Sequence, residues 1–251
     1  MAKAVKKKKA KPSFSKFIKW FWIVFGVVVF SVALLFLSAS WGWLGPLPTY
    51  ESLENPQTNL ASQIISSDDE LLGKFYLDDN RTDVPYDSLP QNLIDALVAS
   101  EDIRFNDHAG IDWFGTLRAL AYLGNRGGGS TITQQLAGQI YVGAKSRNPI
   151  ARIKQKAKEY VISTQLERRY TKEEIITLYL NKFDWINLAV GIKSASSIYF
   201  DTQPDSLRIE EAAMLVGMVK NPNGYNPKRF PEAAKKRREI VLYQMKKGFL
   251  F

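Results

Sequence analysis

Glu101-Asp102-Ile103-Arg104-Phe105-Asn106-Asp107-His108-Ala109-Gly110 places two adjacent carboxylates ahead of the chain's single histidine. Further on come Gly129-Ser130-Thr131-Ile132-Thr133-Gln134-Gln135 and then Gln155-Lys156-Ala157-Lys158-Glu159. The order gives two separated candidate acid/base carboxylates, Glu101 and Glu159, with a polar, glycine-led helix start between them. A carboxylate within hydrogen-bond reach of a hydroxyl can take its proton as general base. A second carboxylate can then serve the group that departs. That is equipment for making or breaking a glycosidic bond. Asp102, beside Glu101, is placed to tune it or to orient a substrate.

The middle block suits an anion. Gly127-Gly128-Gly129-Ser130-Thr131 leads into a helix, whose free N–H groups and dipole attract a group such as a diphosphate. Ser130, Thr131, Gln134 and Gln135 add hydrogen-bonding side chains. Ser130 and Gln134 stand four apart and share a helix face. Lys156 and Glu159 stand three apart and share another. The commonest fate of such a pair is a solvated ion pair. The chemical alternative has Lys156 neutralising a phosphate and Glu159 assisting the leaving group.

Helices must position these groups. Leu89-Pro90 starts one, with Leu93, Ile94, Leu97 and Val98 on its apolar side, and Glu101 falls at or just past its end. Ser130 or Thr131 caps a helix reaching about Val142. Ile150 to Arg169 reads as a long helix. Thr171-Lys172-Glu173-Glu174 is a capping box that restarts a helix through Leu180. Ile209 to Val219 is an apolar helix, and Pro231 sits at the first position of a basic amphipathic helix to about Lys247. Before all of these, Gln63-Ile64-Ile65-Ser66 and Leu71-Leu72-Gly73-Lys74-Phe75-Tyr76 flank a polar turn, a β-hairpin pattern.

The amino end is of another kind. The chain has 251 residues and a net charge of +9, but eight lysines precede the first acid. The remainder holds 26 Lys+Arg against 25 Asp+Glu, so the charge does not point to nucleic acid. No charged residue occurs between Lys19 and Glu51, and about 20 apolar residues cross a bilayer as a helix. Trp20 and Trp22 at one end and Trp41 and Trp43 at the other fit interfacial belts, and the lysines put the amino end in the cytoplasm. The run exceeds a signal-peptide core, so an uncleaved anchor is expected. The expected organisation is a basic tail at 1–19, a transmembrane anchor at 20–43, a linker at 44–58 and a catalytic domain at 59–251. With no cysteine and one histidine, disulfides, thiol chemistry and paired-histidine zinc sites are excluded.

The three blocks resemble the first three motifs of the peptidoglycan glycosyltransferases of family 51, found in class A penicillin-binding proteins and monofunctional transglycosylases. Tyr179-Leu180-Asn181 with Gly191-Ile192 and Tyr199-Phe200 resembles the fourth motif. Glu210-Glu211-Ala212-Ala213-Met214-Leu215 with Asn221-Pro222, Tyr225-Asn226-Pro227 and Arg237-Arg238 resembles the fifth. The resemblance implies a mostly α, lysozyme-like domain with a membrane-facing lobe, behind the anchor and the small hairpin. It implies polymerisation of lipid II into glycan strands, with inversion and release of undecaprenyl diphosphate. Glu101 and Glu159 would be catalytic; Asp102, Ser130, Thr131, Gln134, Gln135, Arg152 and Lys156 would bind substrate. No organic cofactor and no protein-held metal is implied, and a divalent cation, Mg or Mn, is left open at the diphosphate. The implied partners are lipid II, the growing glycan strand, the membrane and other cell-wall synthesis proteins. The implied place is the bacterial cytoplasmic membrane, crossed once, with the catalytic domain outside.

Three departures from the family pattern concern cations: Gly138 stands where a Lys is common, and Ala151 and Gln155 where an Arg is. Arg152, one turn from Lys156, is the expected stand-in. Phe183-Asp184-Trp185-Ile186 stands where a Gly is usual. Two other functions share the motifs: a lysozyme-like glycan hydrolase, and a catalytically weak scaffold that binds lipid II. With no transpeptidase module in view, the sequence fits a monofunctional protein or the front of a class A protein.

Overall fold

The computed structural model describes residues 14–49, 52–53, 62–65, 71–75, 83–122, 128–143 and 145–249. The first 13 residues of the basic tail, residues 50–51 and 54–58 of the expected linker and Gly127 of the glycine run lie outside them. The chain divides into two compact units, Met1–Pro46 and Leu47–Phe251.

In the first unit, α1 spans Phe14–Ser40. Its Lys16–Ser40 stretch, 25 residues with mean hydropathy 2.6, is long and apolar enough to cross a membrane. Phe17, Trp20, Trp22 and Phe30 are all exposed, so the helix has no apolar stripe turned to a core; it is apolar all round.

The second unit is mostly helical. Two extended segments, β1 (Ser62–Ile65) and β2 (Leu71–Phe75), pair antiparallel with Ser62 opposite Phe75. Ser66, the turn at 67–70 and Tyr76, which would complete the expected hairpin, lie outside the described residues.

Helix α2 (Gln91–Glu101) follows Pro90, and its Leu93, Ala96 and Leu97 are fully buried. It ends because Asp102 leaves helical geometry, at φ −158° and ψ 73°. That turn carries Glu101 on the last helical residue. Helices α8 (Ile209–Val219) and α9 (Pro231–Phe249) pack against α2 and against each other.

A second group surrounds α4 (Ile132–Ala137), which packs on α5 (Pro149–Glu167) and α6 (Lys172–Lys182). The turn after α4, Gly138–Val142, is π-helical, so the segment from the Thr131 cap reaches Val142 with a change of winding. Asn148 caps α5 through its side chain, and Pro149 takes the first turn, where a missing N–H costs nothing. The Thr171–Glu174 capping box forms, and α6 runs two residues past the expected Leu180. Two helices not separately expected, α3 (Trp113–Ala121) and α7 (Ile192–Phe200), complete the unit.

The missing glycine after Tyr179-Leu180-Asn181 has a structural counterpart. Ile186, Asn187 and Leu188 all adopt left-handed backbone, with φ of 57°, 54° and 64°. Each costs about 1–2 kcal/mol for an L-residue. Buried Trp185 anchors the turn through an indole bond to Leu215 O at 2.9 Å. The Tyr199 hydroxyl donates to Trp185 O at 2.7 Å and holds its other side.

Candidate active site

Gly110, the last residue of the first block, organises the start of α4. It has φ +86°, and a Cβ there would lie 2.8 Å from Ser163 O, so glycine alone fits without displacement. Its carbonyl accepts from Thr131 Oγ1 at 2.8 Å and from Gln134 Nε2 at 3.2 Å. Thr131 also accepts from the Gln134 amide at 3.1 Å, as the cap of α4. Asp102 accepts the Ile132 amide at 3.0 Å, and both its oxygens lie 3.1 Å from His108 Nε2. Asp102 and Thr131 are both buried, and these bonds fix the start of α4.

Gln134 and Gln135 then diverge, since consecutive helix residues point about 100° apart. Gln135 Nε2 donates to Glu101 Oε2 at 3.1 Å. The Tyr179 hydroxyl donates to Gln135 Oε1 at 2.9 Å and so fixes which end of the amide meets Glu101. Burial raises the Tyr179 pKa well above the ordinary 10.0, and the Glu101 charge adds to this; a hydrogen bond to Gln139 offsets it only in part. Tyr179 therefore stays a hydroxyl donor at working pH. On the other edge of Glu101, Arg237 Nη2 lies 3.7 Å from Oε1, beyond hydrogen-bond range.

Gln134 turns the other way. Lys156 Nζ donates to Gln134 Oε1 at 3.2 Å, to Ser130 Oγ at 2.7 Å and to Glu159 Oε2 at 2.8 Å. Arg152 Nη1 reaches Glu159 Oε1 at 2.9 Å. Each oxygen of Glu159, which is buried, thus meets one cation. Lys156, four residues past Arg152 and three before Glu159, closes the trio on one face of α5. Burial is the largest influence on Lys156 and lowers its pKa from 10.5; the Glu159 charge and hydrogen bond resist this without cancelling it.

Every candidate named from sequence therefore falls in one connected set: Glu101 with Gln135 on one side of α4, and Arg152, Lys156, Glu159, Ser130 and Gln134 on the other, with Asp102 and Thr131 beneath. Lys145, Arg147 and Lys154, the further cations near the displaced positions, are exposed. Sequence reasoning missed Arg118 on α3. It lines a small cleft with Glu101, Arg104, Gly129 and Ser130, and its buried Nε has no hydrogen-bond partner among the described residues. A lone arginine among the apolar residues of Trp113–Ala121 was the available signal. Arg104 beside it forks onto Asp112, at 2.6 Å and 3.4 Å. Burial tends to raise the Asp112 pKa, but the Arg104 hydrogen bond, the Gly115 amide and the Arg104 charge together leave it lowered from 3.8.

The chain matches the family model described as Transglycosylase over residues 68–246. It is 35% identical over 243 residues to penicillin-binding protein 1A of Pseudomonas aeruginosa, covering 94% of this chain and 28% of that one. It is 32% identical over 240 residues to penicillin-binding protein 1A of Escherichia coli, covering 92% and 27%. A crystal structure of penicillin-binding protein 1A from Haemophilus influenzae aligns with 22% identity and a TM-score of 0.41, over 78% of this chain and 19% of that one. The chain spans 28% of the length of the first of these curated relatives. With the family pattern matched across the helices that build the site, this chain belongs to the transglycosylase family.

Proposed function

We propose that the domain is a peptidoglycan glycosyltransferase that polymerises lipid II into glycan strands. The observation that carries this is the contrast between two carboxylates on either side of α4: Glu101 bonded by the neutral amide of Gln135, and Glu159 paired with Arg152 and with Lys156, which also bonds Gln134. Glu101 takes the proton of the acceptor 4-hydroxyl. The hydroxyl oxygen attacks the lipid-linked sugar carbon, and the bond from that carbon to the diphosphate oxygen breaks. Attack opposite the leaving group inverts the carbon, by analogy with inverting glycosidases. Undecaprenyl diphosphate departs with growing negative charge, met by Lys156 and Arg152 and by the glycine-led N–H groups before α4.

Glu159 holds those two cations in place. Among the described residues no group of three His, Asp or Glu side chains is suited to a metal, and both Glu159 oxygens are taken by cations.

The proposal includes a lysozyme-like catalytic domain over 59–251, with a hairpin built on β1 and β2. It also includes an anchor through the bacterial cytoplasmic membrane at 20–43, with the amino end in the cytoplasm and the domain outside. Trp113, Phe114 and Leu117 are more than 60% exposed on the helix that carries Arg118, which suits a lipid-linked substrate arriving from a bilayer. Other cell-wall synthesis proteins are proposed as further partners.

The test is incubation of the detergent-solubilised chain with labelled lipid II and, separately, with purified sacculi. Polymer from lipid II is the expected result. Soluble fragments from sacculi without polymer make the protein a hydrolase instead. Retention of lipid II with neither product makes it a scaffold.

A further inference from the structure

Arg237 is a buried arginine that the polymerisation chemistry leaves without a task. Its side chain is 7% exposed, with Nη2 3.1 Å from Ser100 Oγ and 3.7 Å from Glu101 Oε1, while its Nε has no partner among the described residues. Burying a guanidinium with unmet donors is costly, and apolar residues commonly replace buried charges without loss of stability. Packing alone therefore does not account for it. The chain also makes room for it. Gly217 of α8 faces the arginine, and a Cβ there would lie 3.2 Å from Arg237 Cγ and 3.7 Å from its carbonyl carbon. The path from α9 over Gly217 ends at the last two residues of α2.

We propose that Arg237 is a positioning residue for Glu101, steering the Oε1 edge of the carboxylate while Gln135 holds the Oε2 edge, so that the remaining lone pairs face the acceptor hydroxyl. The inference rests on Glu101 being the base. The separation is part of the device. At 3.7 Å the guanidinium orients by charge without a direct bond. Closer pairing, as Glu159 has with Arg152 and Lys156, ties up a carboxylate's oxygens.

The experiment compares Arg237→Gln, Arg237→Lys and Gly217→Ala in the full chain, each alone and combined with Glu101→Gln, by lipid II polymerisation and thermal melting. Misplacing a catalytic group by about 1 Å can cost about 100-fold, so Arg237→Gln should lower kcat by about 10- to 100-fold with KM little changed. Arg237→Lys should recover part of the loss. Gly217→Ala, which displaces the arginine without removing its charge, should fall between. In the Glu101→Gln background none of the three should lower the residual rate further, because coupled residues are non-additive. Losses that multiply with Glu101→Gln, or normal kcat in a folded Arg237→Gln protein, overturn the proposal. If Arg237→Gln does not fold, Arg237→Lys and Gly217→Ala decide by the same criterion. Full turnover in Glu101→Gln alone would instead strike at the assignment of the base.

Discussion

Glu101 meets Gln135 directly and Glu159 meets the neighbouring Gln134 only through Lys156, and the two carboxylates are held in opposite ways. Glu101 ends an apolar helix and accepts one hydrogen bond from an amide, with its nearest cation at 3.7 Å. Glu159 lies inside α5 with a cation on each oxygen at 2.8 Å and 2.9 Å. Glu101 keeps oxygen lone pairs clear of any direct cation bond, whereas both oxygens of Glu159 are engaged. In the proposed reaction the first takes a proton and the second holds positive charge still. Two glutamates that read alike in sequence are separated by what surrounds them.

The sharpest way to break that contrast is to remove each charge. Glu101→Gln should lower turnover by about 100- to 10,000-fold, the usual cost of losing a general base, with substrate binding and melting temperature nearly unchanged. Glu159→Gln should also be severe, but it leaves Arg152 and Lys156 facing a neutral amide. Breaking a fully buried pair costs about 3–5 kcal/mol; both cations here are about one-third exposed, so the loss should fall below that range. Polymerisation and melting measured on both variants check this. If both lower melting equally, or Glu101→Gln keeps near-normal turnover, the two carboxylates are not divided in this way.

How much of this was legible beforehand depends on which kind of information each residue carries. The helix at Ile209–Val219 has the bounds its apolar run gives, and the Thr171–Glu174 box forms as its spacing requires, because both signals are local. The partner of Gly110 was not legible. Its close approach to Ser163 joins segments far apart in sequence, and no local pattern encodes that. The same holds for Arg237, which reaches Glu101 only because α9 packs on α2. Asp102 reads from sequence as placed to tune Glu101 or to orient a substrate; its turn inward to His108 and the start of α4 is not legible there. The π-helical turn at Gly138–Val142 and the left-handed run at Ile186–Leu188 go against local preference and are held by tertiary contacts.

The cations around Glu159 sharpen the comparison at a smaller scale. Lys156 makes three polar contacts in the set and Arg152 one, so Lys156→Ala should abolish polymerisation and Arg152→Ala should reduce it less. Lys145→Ala and Arg147→Ala, at exposed positions, should cost least. Gly138 offers a way back. A Cβ there would lie 3.6 Å from the Glu159 carboxyl carbon, in ordinary contact, on helical backbone that any residue adopts. A lysine at 138 starts beside the same carboxylate that Arg152 serves from α5. Gly138→Lys should therefore restore part of the activity of Arg152→Ala and little of Lys156→Ala. Initial polymerisation rates of the two double variants test it, and equal rescue of both would mean that only net charge counts.

The smallest expected effect separates titration from unfolding at the same site. Burial lowers the Lys156 pKa below 10.5, so its charge is lost earlier than an ordinary lysine's as pH rises. With the cation gone, the diphosphate loses a partner, and polymerisation should decline on the alkaline side before ordinary lysines titrate. Stability moves the other way. Between the folded value and the higher unfolded one, the unfolded chain binds more protons, so raising the pH favours the folded state as far as Lys156 is concerned. Activity should thus fall over a range in which this group makes the fold more stable. Arginine keeps its proton throughout, with a pKa above about 12, so Lys156→Arg should flatten the alkaline fall even if its rate at neutral pH is lower. Rate and melting temperature followed together from pH 7 upward, for both proteins, check this. A decline that tracks melting, or that survives unchanged in Lys156→Arg, would mean that the alkaline limb belongs to another group and that Lys156 only holds Glu159.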